Sequence, residues 1–180
     1  MSSGVKRRIV RITVHALPTR RTLGRLVIGA SAYPCVLGRS GVVVDKREGD
    51  GGTPRARLPL RRVFQRLDRA ARIPTLLPTR RTRHDDAWCD DPADRRYNRL
   101  IRRPPDQAEE RLCRDDRLYD VIVELGWNDA PVHRGRGSAI FWHVCRIART
   151  PTAGCVAVEP EVFRKVLPRL SRASVMVVRG

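Results

Sequence analysis

The chain has 180 residues, 37 of them Lys or Arg against 19 Asp or Glu, giving a formal charge of +18 with 41% apolar and 31% charged side chains. That is the composition of a globular protein, and a domain of this length buries roughly 70% of its unfolded surface, enough to hold its core without metal or disulfide staples. No apolar run reaches the roughly 18 residues of a membrane span, and Lys6, Arg7, Arg8, Arg11, Arg20 and Arg21 interrupt any leader-like stretch, so neither a transmembrane segment nor an ordinary signal peptide is expected.

Residues 8 to 44 read as antiparallel strands: Val10, Ile12 and Val14 alternate with Arg11 and Thr13, and Leu26 to Ile28 and Val42 to Val44 are short β-branched runs bounded by glycines. The segment Lys46-Arg-Glu-Gly-Asp-Gly-Gly-Thr-Pro54 is a turn cluster. Arg57 to Phe64 resumes an extended pattern in which Pro59 points to an edge strand. From Asp68 to Asp116 the chain is rich in proline, arginine and aspartate with no sustained period, and is expected to be a long ordered insertion, placed as a lid. Leu118 to Leu125 reads as a strand, Gly126 to Gly137 as a turn-rich segment, and Ala139 to Cys145, apolar on both faces, as a central strand. Pro160 opens a helix in which Val162, Phe163, Val166, Leu167 and Leu170 recur at helical spacing, and Ser174 to Val178 closes the chain as a strand. The sum is one mainly β (α+β) domain spanning residues 1–180, with the insertion at 68–116 inside it.

The five cysteines, at positions 35, 89, 113, 145 and 155, show neither a CxxC pair nor zinc-type Cys/His spacing, so no metal site is expected. Cys89 and Cys113 are the pair that could bridge in an oxidising compartment. The charge alone would suit a basic nucleic-acid-binding protein. Only three of the basic residues are lysines, the arginines are dispersed, and aromatics are 5% of the chain, with no RNP-like motif or basic heptads, so nucleic acid is not an expected partner.

His143 stands in the middle of the apolar strand, where an imidazole needs a hydrogen-bond partner. Twelve residues later, Gly154-Cys155 falls in a Thr/Ala/Gly turn ahead of the helix. A thiol needs a neighbouring base to become a nucleophile, and His143 supplies one if strand and turn are adjacent. A glycine before the nucleophile lets main-chain N–H groups of Gly154 and Cys155 approach a developing oxyanion. Cys145, two residues from His143 on the same strand face, is the rival thiol, but a strand interior is a poor place for attack.

The words around these residues, GSAIFWHV, PTAGCVAV and the upstream GDGGTPRARLPL, resemble the YkuD family of L,D-transpeptidases over roughly residues 23 to 179. Thr53-Pro54 through Leu60 matches the family's TPxGxFxI-like segment, His143 its catalytic histidine, and Thr152-Ala-Gly-Cys155 its Ser-His-Gly-Cys-x-Arg motif. Three departures stand out: Thr152 replaces the serine, Ala153 the motif's histidine and Ala157 its arginine. The resemblance implies a YkuD-like β-sandwich with the C-terminal helix packed after the catalytic turn. It also implies a cysteine acyl-enzyme that crosslinks peptidoglycan stem peptides without a cofactor.

The TxGC form is closer to the branch that joins the first stem residue to the third than to third-to-third crosslinkers. Hydrolysis of a stem as an L,D-carboxypeptidase or endopeptidase, or a catalytically dead peptidoglycan-binding relative, are the alternatives within the family. The site it implies pairs Cys155, His143 and Gly154 with substrate contacts from Thr152, Asn128 and Ser138. Arg39, Lys46 and Arg146 are expected as carboxylate clamps, and Trp88 and Tyr97 as a cap. The resemblance implies action in the periplasm or cell wall, with the cytoplasm as the alternative given the absence of a visible signal peptide; the sequence does not give the oligomeric state, and a monomer is the default expectation.

Overall fold

In the computed structural model, which describes residues 8–104 and 110–180, the alternation near the start becomes three antiparallel strands. These are β1 (Ile9–Leu17), β2 (Arg20–Ile28) and β3 (Ser31–Val36). Ile12, Val14, Leu26 and Ile28 face inward, while the neighbouring Arg11 and Arg25 face water. The turn cluster carries a separate parallel pair, β4 (Val42–Val43) and β5 (Thr53–Pro54).

Next comes β6 (Arg57–Gln65), which is not the edge strand that Pro59 suggested. It pairs with the C-terminal strand through Arg57 to Pro59, then with β7 (Thr79–Arg81) on one side and β11 (Val121–Leu125) on the other. Pro59 is tolerated because it is the last residue of the first ladder, where its missing N–H is not called upon, and its carbonyl accepts from the Gly126 N–H at 2.8 Å.

The expected insertion at 68–116 is more regular than its composition suggested. It contributes β7 to the large sheet and folds β8 (Asp86–Cys89), β9 (Arg99–Arg102) and β10 (Glu110–Arg111) into a three-stranded sheet in the order β10-β8-β9. Its residues 105–109 lie outside the described residues, as do Lys6 and Arg7 at the N-terminus. The hydrophobic periodicity missed these strands because they are only two to four residues long, and β8 (Asp86–Cys89) is in addition buried on both faces and so shows no alternation.

The last third holds β12 (Phe141–Val144), β13 (Val156–Val158), the helix α1 (Pro160–Val166) and β14 (Leu170–Arg179). The helix stops at Val166 rather than running through Leu170: Pro168 allows only a 3-10 turn over Leu167–Arg169, and Leu170 opens β14. The large sheet runs β11-β12-β13-β3-β2-β1-β14-β6-β7, and the β11–β6 pairing closes it on itself. This is the mainly β, α+β fold that was expected, its facing halves enclosing the core with α1 packed against it. Phe163 packs at 4.8 Å on Trp142, both fully buried in the main core, so Trp142 fixes the core face of β12. Burial of a ring such as Phe163 stabilises by about 3 kcal/mol or more relative to alanine. The alternate residues Phe141 and His143 therefore face the second apolar cluster, made by Phe64, Trp88, Leu112, Tyr119, Ile122 and Cys155.

Candidate active site

The parallel pairing of β12 and β13 sets Trp142 opposite Val156 and His143 opposite Ala157. Cys155, one residue before Val156, thereby falls opposite Phe141, whose N–H donates to its Sγ at 3.4 Å. With period two along each strand, Phe141, His143, Cys155 and Ala157 share one face. Histidine and cysteine are diagonal neighbours, about 7 Å apart along the strand direction and within side-chain reach. Both line a cavity of about 380 Å³. The rival thiol, Cys145, lines it too, but its backbone N–H continues the ladder to the Val158 carbonyl at 2.8 Å, placing it beyond His143.

The imidazole is oriented by two contacts. Its Nδ1–H donates to the Val144 carbonyl at 2.8 Å, so in the neutral ring the free lone pair is on Nε2. The Tyr119 ring meets it edge-on at 5.1 Å. Burial lowers the His143 pKa from 6.5 to about 4, against the Val144 bond, which pulls the other way. Burial likewise raises Cys155 to about 12, opposed by the Phe141 N–H. At neutral pH the resting pair is a thiol beside a neutral imidazole, with the thiol donating to the Ala139 carbonyl at 3.2 Å.

The turn bearing the nucleophile is built by Thr152. Its hydroxyl donates to the Cys155 carbonyl at 2.7 Å and accepts the Gly154 N–H at 3.1 Å, while its own backbone joins Leu37 and Arg39. Thr152 thus shapes the turn, and the Gly154 N–H that was expected at the oxyanion is already engaged. Gly154 sits at φ +142, and a Cβ there would lie 2.9 Å from the Gly52 carbonyl oxygen. The upstream GDGGTP segment is the wall against which this turn rests. Asp50 ties it together by accepting from Lys46 Nζ at 2.6 Å and from the Gly52 N–H at 2.7 Å. Gly38 packs so closely against it that a Cβ would fall 2.1 Å from the Gly51 oxygen. Gly154→Ala is expected to cost about 2 kcal/mol of stability, read as a lowered urea midpoint with unchanged slope.

The remaining expected contacts divide. Arg39, Lys46, Ser138 and Arg146 line the cavity. Lys46 is nevertheless buried and held by Asp50, and Arg146 is drawn to Asp116 at 3.4 Å. Asn128 does not reach the cavity; its amide closes the 128–137 loop through His133 and Gly137. Trp88 and Tyr97 do not line the cavity either: the Trp88 indole is packed edge-on against Phe141, and Tyr97 donates its hydroxyl to Glu48. The buried amide of Asn98 joins this stretch to the site. Its Oδ1 accepts from Trp88 and from the Ala139 N–H, and its Nδ2 donates to the carbonyls of Trp127 and Asn128.

Glu110, Arg114 and Tyr119 also line the cavity, and sequence reasoning did not single them out. Glu110 and Arg114 lie in a charged stretch without period, and Tyr119 near the start of the strand-like run Leu118 to Leu125, where an aromatic is ordinary, so no signal set them apart. None of the five cysteines is in a disulfide, so Cys89 and Cys113 do not bridge. Among the described residues no cluster of His, Cys, Asp and Glu could hold a metal, and no helix is long and apolar enough to cross a membrane.

The His143–Cys155 face and the GDGGTP wall that supports it coincide with a known catalytic domain, since residues 12–178 match the YkuD family, the L,D-transpeptidase catalytic domain. The chain belongs to the YkuD family. The match begins eleven residues before the start suggested by motifs alone, taking in β1 from Ile12 onward, which the β1–β14 pairing makes integral to the sheet. No curated protein and no solved structure matches the chain. YkuD domains act on peptidoglycan peptides, and the cavity is polar enough for such a substrate, with both cationic and carboxylate side chains in its wall.

Proposed function

We propose that the chain, as a single catalytic domain, is a cysteine-dependent L,D-transpeptidase that crosslinks peptidoglycan stem peptides, joining the first stem residue to the third, in the periplasm. The observation that carries this reading is the placement of Cys155 and Nε2-basic His143 on one strand face inside one cavity. Rotation of the Cys155 side chain away from Ala139 turns Sγ to the imidazole. His143 takes the thiol proton as sulfur attacks the carbonyl of an L-residue in the donor stem, and returns it to the departing amine. With the Gly154 N–H held by Thr152, the Cys155 main-chain N–H is the group assigned to the oxyanion. An acceptor amine then resolves the thioester.

Ala157, where the family's motif has arginine, leaves the space opposite His143 open. The carboxylates of the stem are assigned to Arg39 and Arg146, since Lys46 is buried and held by Asp50 whereas the Arg146 guanidinium, though near Asp116, is half-exposed. Incubation with disaccharide tri-, tetra- and pentapeptides, followed by intact mass, is expected to show a covalent adduct on Cys155 and a crosslinked dimer. A shortened stem without dimer would identify a hydrolase. No adduct and no product at any stem length would leave a peptidoglycan-binding relative.

A further inference from the structure

The cavity that holds the nucleophile also holds a carboxyl with no part in the acylation step. Glu110, on β10 and paired with Trp88 of β8, lines the same cavity as Cys155 and His143. Its Oε1 is buried without any hydrogen-bond partner, although a buried carboxylate oxygen ordinarily has one. The nearby acid Glu48 is bonded by Tyr97, and Asp116 is shared by Arg114 and Arg146. Glu110 is bonded by the Tyr119 hydroxyl, the same Tyr119 whose ring rests on His143, and it feels the charge of Arg114, whose guanidinium is itself held by Asp116. The wall thus holds a buried carboxyl oxygen without a donor, as it holds the unpartnered Ser138 hydroxyl, and an entering N–H donor would satisfy it.

We infer that Glu110, positioned by Tyr119, is the subsite for the primary ammonium group of the acceptor, so that the acyl group is passed to an amine rather than to water. This rests on the acyl-enzyme reading and adds to it the side chain that receives the acceptor amine. The ammonium gives one proton to the Glu110 carboxylate. The freed lone pair forms the C–N bond at the thioester carbon, and the C–S bond breaks. The second amine proton passes through His143 Nε2 to Cys155 Sγ, and Glu110 releases its own to solvent. Burial raises the Glu110 pKa, which makes it a better proton acceptor for this step.

The test separates acyl transfer from acylation. A disaccharide tetrapeptide serves as donor, and the acceptor probe is a stem peptide with a free side-chain amine, set against the same peptide acetylated on that amine. Wild type, Glu110→Gln and Tyr119→Phe are compared for adduct formation and for the ratio of crosslinked to hydrolysed product. Glu110→Gln is expected to acylate at the wild-type rate while its ratio of aminolysis to hydrolysis falls at least about tenfold. Tyr119→Phe is expected to shift that ratio in the same direction by less. An unchanged ratio in Glu110→Gln overturns the inference, as does a parallel loss of acylation and transfer, which marks a structural role. Absence of an adduct in wild type instead overturns the acyl-enzyme reading itself.

Discussion

Cys155→Ala is expected to form no covalent adduct with any stem peptide. The wild-type thiol is in turn expected to react with iodoacetamide at pH 7 at least about thirtyfold more slowly than the same thiol in the urea-unfolded chain. Burial raises its pKa from 9.0 to about 12, so the folded protein holds about a thousandfold less thiolate. The more basic thiolate is also the better nucleophile, and a Brønsted slope near one half returns roughly thirtyfold of that loss. Exclusion of the reagent from a site only 7% exposed adds to the slowing. A stem peptide escapes this limit because it brings its carbonyl to Sγ while His143 removes the proton, so no free thiolate need accumulate. Comparing the two rates, with the adduct mapped to Cys155 by peptide mass, decides the matter. Rapid alkylation levelling off near pH 7 would mean a preformed thiolate–imidazolium pair and would contradict the geometry described above.

The same residues show how far the sequence could be read. His143 and Cys155 were legible because each contradicts its surroundings: a polar ring in an apolar strand, a thiol after glycine in a turn. The strand ladder then fixes their shared face through simple period two. The GDGGTP segment was legible as a turn, but its role as the wall behind Gly154 depends on contacts between residues more than a hundred positions apart, which no local pattern encodes. Asn128 and Thr152 were legible as polar residues near the site, yet their side chains are consumed by backbone partners that exist only once the loops are folded. Pro59 misled because a proline excludes a ladder hydrogen bond without excluding the end of a ladder. Glu110 was invisible for a related reason. In a chain with 37 basic residues, an acid is read as a surface counter-charge, and only the packing of β10 against β8 shows one of its oxygens without a partner.

His143→Gln is expected to lose acylation and, at the same time, to make the protein less sensitive to acid. In the folded chain the imidazole titrates at about 4, chiefly because burial penalises the charged ring, whereas its ordinary value is 6.5. Between these values the unfolded chain binds the extra proton and the folded chain does not, so stability rises with pH across the window. The contribution is complete above pH 6.5 and is lost as pH falls to about 4, amounting to about 3 kcal/mol at roughly 1.4 kcal/mol per unit. Urea unfolding at steps from pH 7 to pH 4 should therefore show wild type losing about that much more than His143→Gln, and parallel slopes would refute a buried neutral ring. Because the ring stays neutral in the folded state, the wild-type acylation rate is expected to hold level from pH 7 to pH 5, through the range where an ordinary histidine base would be protonated. A decline centred at pH 6.5 would place the base in solvent, outside the strand that Trp142 and Tyr119 hold.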